Sequence, residues 1–294
     1  MARFYLLTAV IFWGWTFVAT RIVLEYLSPV ELLGLRFLIG LPLLVVVVIA
    51  KKLRFNFTPR ERWAVLIGSA IITVHFLIQI TGLQYTTATK TGWIISVTPL
   101  VLAFLSWAVL KERIGPKEIS GIILATLGIL LLVSNGSLTE FGWLDSIGDW
   151  LVLASAHTWA LYTIATRDVS RSQHPLTVTC AVMFPSALVI IGYISFTSDW
   201  SKFFTLPVEP LLALLFLALL GLAVAHWFWQ EGIAAIGGAR AGIFLYLEPI
   251  ATTVLAVPYL DEPFTPYTAI GGGLVLIGVY VAQRRTGRKK TART

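Results

Sequence analysis

The residues of this sequence most able to do chemistry are few, and they sit inside long apolar stretches. His75 is followed one helical turn later by Gln79, and His226 in the same way by Gln230. Residues four apart share a helix face, so each pair presents an imidazole and an amide together. His157 and Glu248 lie near the centres of two further apolar stretches, and Arg36 lies within another. An imidazole donates and accepts hydrogen bonds and titrates near neutral pH, so it can bind a carboxylate or an amine, or carry a proton. A carboxylate at the depth of Glu248 recognises an ammonium group or holds a proton itself. The structural alternatives are a histidine that only hydrogen-bonds a neighbouring helix, and an ion pair between Glu248 and Arg36.

Aromatic residues add a second kind of chemistry. Most of the 11 tryptophans and 17 phenylalanines suit interfacial belts or lipid contacts. Trp13 and Trp159 lie about ten residues into their stretches, too deep for a belt, and are expected to line a cavity that favours apolar or aromatic groups. Trp93, nearer one end, is a further cavity candidate. Tyr246 is two residues from Glu248, about 200° around a helix, so only one of the two is expected to face the cavity. Pro99 and Pro249 lack a backbone donor and should bend their helices as hinges, freeing carbonyls near mid-membrane.

The elements that position these residues follow from composition. The chain of 294 residues is 57% hydrophobic and 13% charged, with mean hydropathy +0.83, against about a quarter charged in soluble domains. Apolar spans at 4–24, 30–50, 62–82, 88–110, 117–134, 147–166, 175–197, 210–230, 240–260 and 267–283 predict an all-α integral membrane protein with ten crossings. With both termini cytoplasmic, eighteen of the 22 lysines and arginines fall inside, only Arg21, Lys90 and Lys202 fall outside, and Arg36 lies within a span.

The same placement explains the net charge of +7 without nucleic acid, because no aromatic-basic face pairs with bases. The single cysteine, Cys180, excludes an intramolecular disulfide and a thiolate metal cluster. No cofactor, metal site or catalytic residue is expected. His-Glu-x-x-His, Gly-x-Ser-x-Gly and the phosphate-binding Gly-x4-Gly-Lys-Ser/Thr loop are all missing. An intramembrane enzyme built from the three histidines and Glu248 is the alternative of another class, and a passive channel is a third.

The chain also repeats itself. At an offset of 150, Pro99 meets Pro249, Glu112 meets Glu262, Pro116 meets Pro266, Gly121 meets Gly271 and Gly128 meets Gly278. His75 and Gln79 parallel His226 and Gln230, and Trp13 and Pro29 parallel Trp159 and Pro175. Five crossings per half turn the second half upside down, and inverted repeats of this kind hold a ligand near the midplane between them. The matched glycines leave smooth helix faces for packing within the chain, with a homodimer contact as their alternative use. Glu112 and Glu262 are read as structural groups near turns.

The mid-membrane proline, the glutamate thirteen residues later and the Gly-x6-Gly helix, present in both halves, resemble the drug/metabolite transporter superfamily, specifically its ten-helix EamA-type exporters. The resemblance covers essentially all of the chain and is nearest to bacterial exporters of aromatic and other neutral amino acids. It implies two five-helix repeats, at 1–134 and 147–283, around a central cavity, with an extracytoplasmic linker at 135–146 and a basic cytoplasmic tail at 284–294. It further implies a multi-pass protein of the inner (plasma) membrane whose partners are the lipid bilayer and a small-molecule substrate exported by alternating access. Other carriers of the superfamily, for purines, cationic drugs or sugar derivatives, are the alternatives. Phosphorylated substrates call for several arginines or lysines, which the cavity lacks.

Overall fold

The computed structural model describes residues 1–109, 111, 115–134, 144 and 146–283, and all regular structure among them is helical. Glu112, nearly all of the expected linker and the basic tail from Arg284 lie outside the described residues. The elements are α1 (Ala2–Leu24), α2 (Pro29–Ala50), α3 (Pro59–Gln84), α4 (Ala88–Ile95), α5 (Thr98–Ala108), α6 (Pro116–Val133), α7 (Ile147–Ser172), α8 (Pro175–Thr197), the single turn α9 (Ser201–Phe204) and α10 (Val208–Phe216). A π-helical segment, Leu217–Val224, joins α10 to α11 (Ala225–Ile236). Then come α12 (Gly238–Gly242), a 3-10 turn (Ile243–Leu247), α13 (Glu248–Leu260) and α14 (Pro266–Gln283).

Helix starts are written in the sequence. Ser28, Thr58 and Ser146 cap α2, α3 and α7, and Glu31, Glu61 and Asp149 return a hydrogen bond to the cap backbone. Pro29 and Pro59 then occupy first-turn positions where no backbone donor is needed. Seven helical stretches among the described residues are long and apolar enough to cross a membrane: Ala2–Leu24, Pro29–Ala50, Pro59–Gln84, Ala88–Ala108, Pro175–Thr197, Val208–Ile236 and Arg240–Leu260. The chain is a multi-pass membrane protein.

Pro99 and Pro249 do not bend continuous α-helices. The chain breaks before each, at Ser96–Val97 and at the 3-10 turn, and the proline sits in the first turn of the helix that follows. A proline interior to a helix loses a hydrogen bond and clashes with the preceding turn, which starting a new helix avoids. The π-helix between α10 and α11 has no counterpart in the apolar pattern. Its wider turn lets side-chain donors reach backbone carbonyls that a regular α-helix would shield.

Packing is reciprocal. α3 lies on α7 and α1 on α11; α1 lies on α13 and α5 on α7; α2 packs on α8 and α6 on α14. In the last pair, a Cβ added to Gly128 would stand 2.6 Å from the Gly271 carbonyl oxygen, and one added to Gly278 would stand 2.6 Å from that of Gly121. All four glycines are therefore used within the chain.

One end of the bundle is tied by polar contacts. Asp149, fully buried at the start of α7, pairs with Lys90 of α4 at 2.8 Å and accepts from the Thr86 hydroxyl at 2.6 Å. Arg21 at the end of α1 donates to the Leu83 carbonyl at the end of α3 (3.1 Å). Glu262, beyond α13, accepts from the Ala88 and Thr89 amides (3.0 and 2.9 Å), capping α4. At the same end Lys202 pairs with Glu31.

Candidate functional site

Between these helices lies a small cavity. α1 contributes Trp13, Thr16 and Phe17, α2 contributes Arg36, and α3 contributes His75, Phe76 and Gln79. Ile95 and Thr98 flank the α4–α5 break, and the far wall holds Trp159, His226, Leu245 and Glu248. Trp13, His75, Gln79, Trp159, His226 and Glu248 thus come together from across the sequence.

The centre of the wall is aromatic. Trp13 and Trp159 meet edge to face with ring centroids 4.9 Å apart, a favoured geometry for aromatic pairs. His226 stands 5.0 Å from Trp13, and His75 stands 5.1 Å from Trp159. Each histidine is fixed through Nδ1. That of His75 donates to the Ser155 carbonyl (3.0 Å), and that of His226 donates to the Leu222 carbonyl (3.0 Å), with Gly221 also in reach at 3.2 Å. Carbonyls only accept, so in the neutral rings the Nε2 atoms are left as acceptors. Nε2 of His226 is buried without a hydrogen-bond partner among the described residues.

The π-helix organises this wall. Its Gly221 carbonyl accepts from the Trp13 indole N–H at 3.1 Å, and its Leu217 carbonyl accepts from Arg36 Nε at 3.1 Å. The Arg36 guanidinium also sits over the Phe76 ring, 5.0 Å from its centroid. Across the cavity Glu248 opens α13 and is 6% exposed. Gly14 permits that position, because a Cβ there would lie 2.6 Å from the Glu248 carbonyl oxygen.

Three expected residues stand elsewhere. His157 is exposed on the outer face of α7, and its Nδ1 is satisfied by the Leu153 carbonyl at 2.9 Å. This corrects the expectation that it lines the cavity. It is two positions from Trp159, hence about 200° around the helix. Trp93 and Tyr246 are buried in a separate apolar cluster with Ala125 of α6 and Val275 of α14, which corrects their placement at the cavity as well. Gln230, the repeat counterpart of Gln79, is buried between the Ser170 hydroxyl (2.8 Å) and the Tyr162 hydroxyl (3.0 Å). The ion pair expected as an alternative for Glu248 is not formed, and Arg36 enters the cavity as a wall residue in its own right. Its signal in the sequence was a guanidinium inside an apolar span.

Among the described residues no three His, Cys, Asp or Glu side chains converge as a metal ion would require.

Comparisons with known proteins agree with this architecture. The chain is 28% identical over 271 residues to an uncharacterized transporter of Archaeoglobus fulgidus, covering 92% of each chain. It is 27% identical over 275 residues to the uncharacterized transporter YyaM of Bacillus subtilis, covering 92% of this chain and 90% of that one. A probable terminal-alkyne amino-acid exporter of Streptantibioticus cattleyicolor is 27% identical over 202 residues, 68% of this chain and 66% of that protein. A protein of known crystal structure superposes with a TM-score of 0.75 at 20% identity, over 96% of this chain and 97% of that one, and so shares the fold. The model of the EamA-like transporter family matches residues 1–134 and again 146–283. With nearly the whole chain matched, the protein belongs to the EamA-like transporter family, in the drug/metabolite transporter superfamily that its prolines, glutamates and glycines resemble.

Proposed function

We propose that this protein is a secondary transporter that exports small metabolites, above all aromatic or other neutral amino acids, by exposing the central cavity alternately to the two sides of a cell's inner membrane. In this reading α6, α7 and α14 cross the bilayer along with the seven apolar stretches, giving ten crossings. The 26 residues of α7 span about 39 Å at 1.5 Å per residue, ample for that role. The two halves, 1–134 and 147–283, are inverted copies joined by an extracytoplasmic linker at 135–146. Both termini, with the basic tail at 284–294, face the cytoplasm. The reciprocal glycine contacts of α6 and α14 support this symmetry, as does the match of one family model to two segments.

The observation that carries the substrate assignment is the meeting of Trp13 with Trp159 inside a cavity that also holds ionisable groups. Aromatic walls favour an apolar or aromatic side chain through burial and stacking. The amino-acid exporter among the relatives supports the same class. The breaks before Pro99 and Pro249 are the points at which the cavity walls would swing.

Uptake of a metabolite panel into liposomes containing the purified protein tests the reading. The expected result is saturable movement of phenylalanine, tryptophan or leucine over protein-free liposomes. Movement of a sugar phosphate, purine or cationic drug, with none of the neutral amino acids, would overturn it.

A further inference from the structure

Arg36 and Glu248 are opposite charges that line one cavity without neutralising each other. Both are more than nine-tenths buried, at 4% and 6% exposure. Arg36 spends only Nε on the protein, at the Leu217 carbonyl. Among the described residues its two terminal nitrogens have no hydrogen-bond partner, and the Glu248 carboxylate has neither a hydrogen-bond nor an ion-pair partner. A buried charge left unpaired is costly, and in a membrane-spanning segment such a group is by default functional. A complementary ligand recovers that cost on binding.

We propose that Arg36 and Glu248 form a two-ended receptor for a zwitterion. Arg36 takes the ligand's carboxylate through its free terminal nitrogens, and Glu248 takes its ammonium. The geometry at Arg36 suits this. Nε is anchored on the π-helix and the guanidinium plane is steadied over Phe76, which leaves the terminal N–H groups to grip two carboxylate oxygens. The aromatic pair Trp13 and Trp159 then faces the ligand's side chain.

Charge balance gives the specificity. With one guanidinium and one carboxylate the two ends sum to zero, which matches a dipolar ligand of no net charge. A cation leaves Arg36 unpaired, and an anion leaves Glu248 unpaired. Each mismatch strands a buried charge, so the receptor selects by repulsion as well as by attraction.

This inference rests on the transporter reading and deepens it, and three ligands with the same aromatic ring separate the two. L-phenylalanine carries both charges, phenethylamine only the ammonium, and 3-phenylpropanoate only the carboxylate. Equilibrium binding to the purified protein is expected to favour phenylalanine at least tenfold over either analogue. Arg36→Gln should weaken phenylalanine and phenylpropanoate at least tenfold while leaving phenethylamine unchanged or tighter. Glu248→Gln should do the reverse, weakening phenylalanine and phenethylamine and sparing phenylpropanoate. Arg36→Lys, which keeps the charge but loses the planar fork, should fall between wild type and Arg36→Gln. It serves if the glutamine variant is not monodisperse in detergent. Equal binding of all three ligands to wild type, or equal weakening of all three by Arg36→Gln or Arg36→Lys, would overturn the receptor. If the analogues bind as tightly as phenylalanine and are transported, the receptor falls and the transporter reading stands. If none of the three is bound or moved, the amino-acid reading falls with it.

Discussion

Trp13, Arg36 and His226 take their positions from backbone oxygens of one short π-helical segment, at Leu217, Gly221 and Leu222. The segment holds them through backbone atoms, and Gly221 must stay a glycine, because a Cβ there would lie 2.5 Å from Thr16 Cγ2. Replacing Trp159 or Trp13 by Ala should raise the KM for phenylalanine uptake by about threefold to tenfold, corresponding to the roughly 0.5–1.5 kcal/mol of an aromatic contact. Leucine uptake should change less, and an equal change for both substrates would remove the stacking role. Gly14 is a further sensitive position, since α1 meets α13 there with no room for a Cβ. Gly14→Val should cost about 1–3 kcal/mol by overpacking, read as a lower melting temperature in detergent. The sequence made the cavity's His75, Gln79, Trp159, His226 and Glu248 visible, because polar and deep aromatic residues in apolar spans are rare enough to count. It did not separate Trp93 and His157 from them, and it left open which of Tyr246 and Glu248 faces the cavity. Depth along a helix is readable from residue number, but the face toward a cavity depends on partners that only packing reveals.

Caps, breaks and ties define the elements. Ser28, Thr58 and Ser146 with their returning acids fix where three helices start, and these signals are local enough to be legible in sequence. The π-helix was not, because it changes the turn without changing the apolar pattern. Gln230, one turn after the cavity residue His226, is a buried tie between Ser170 and Tyr162, although its repeat counterpart Gln79 faces the cavity. The Lys90–Asp149 pair clamps α4 to the start of α7 and, in the proposed topology, lies at the outer end of the bundle. Lys90→Met and Asp149→Asn should therefore be non-additive. The double variant should recover about 1 kcal/mol or more of the summed single losses, since each single change leaves the other partner without this contact. Thermal melts of the four proteins measure the coupling, and strict additivity would dismiss the clamp.

At the scale of the whole molecule, opposite ends of the chain pack as counterparts: α6 on α14, α3 on α7 as α1 on α11. The repeat at an offset of 150 picked out the four glycines of α6 and α14, but their contacts run Gly128 to Gly271 and Gly278 to Gly121 and not between the aligned pairs, and the polar ties at Asp149, Lys90 and Glu262 needed three dimensions. Single cysteines placed near Lys111 and beyond Arg284, in a Cys180→Ala background, should label from the same, cytoplasmic side in intact cells. Labelling from opposite sides would break the ten-crossing topology. The most direct test of a carrier built around this cavity is counterflow. Liposomes containing the protein are loaded with unlabelled phenylalanine and diluted into a trace of labelled phenylalanine. A transient, saturable overshoot of label inside is expected, lost in Arg36→Gln and Glu248→Gln. Label that only equilibrates, with no overshoot and no saturation, would contradict it.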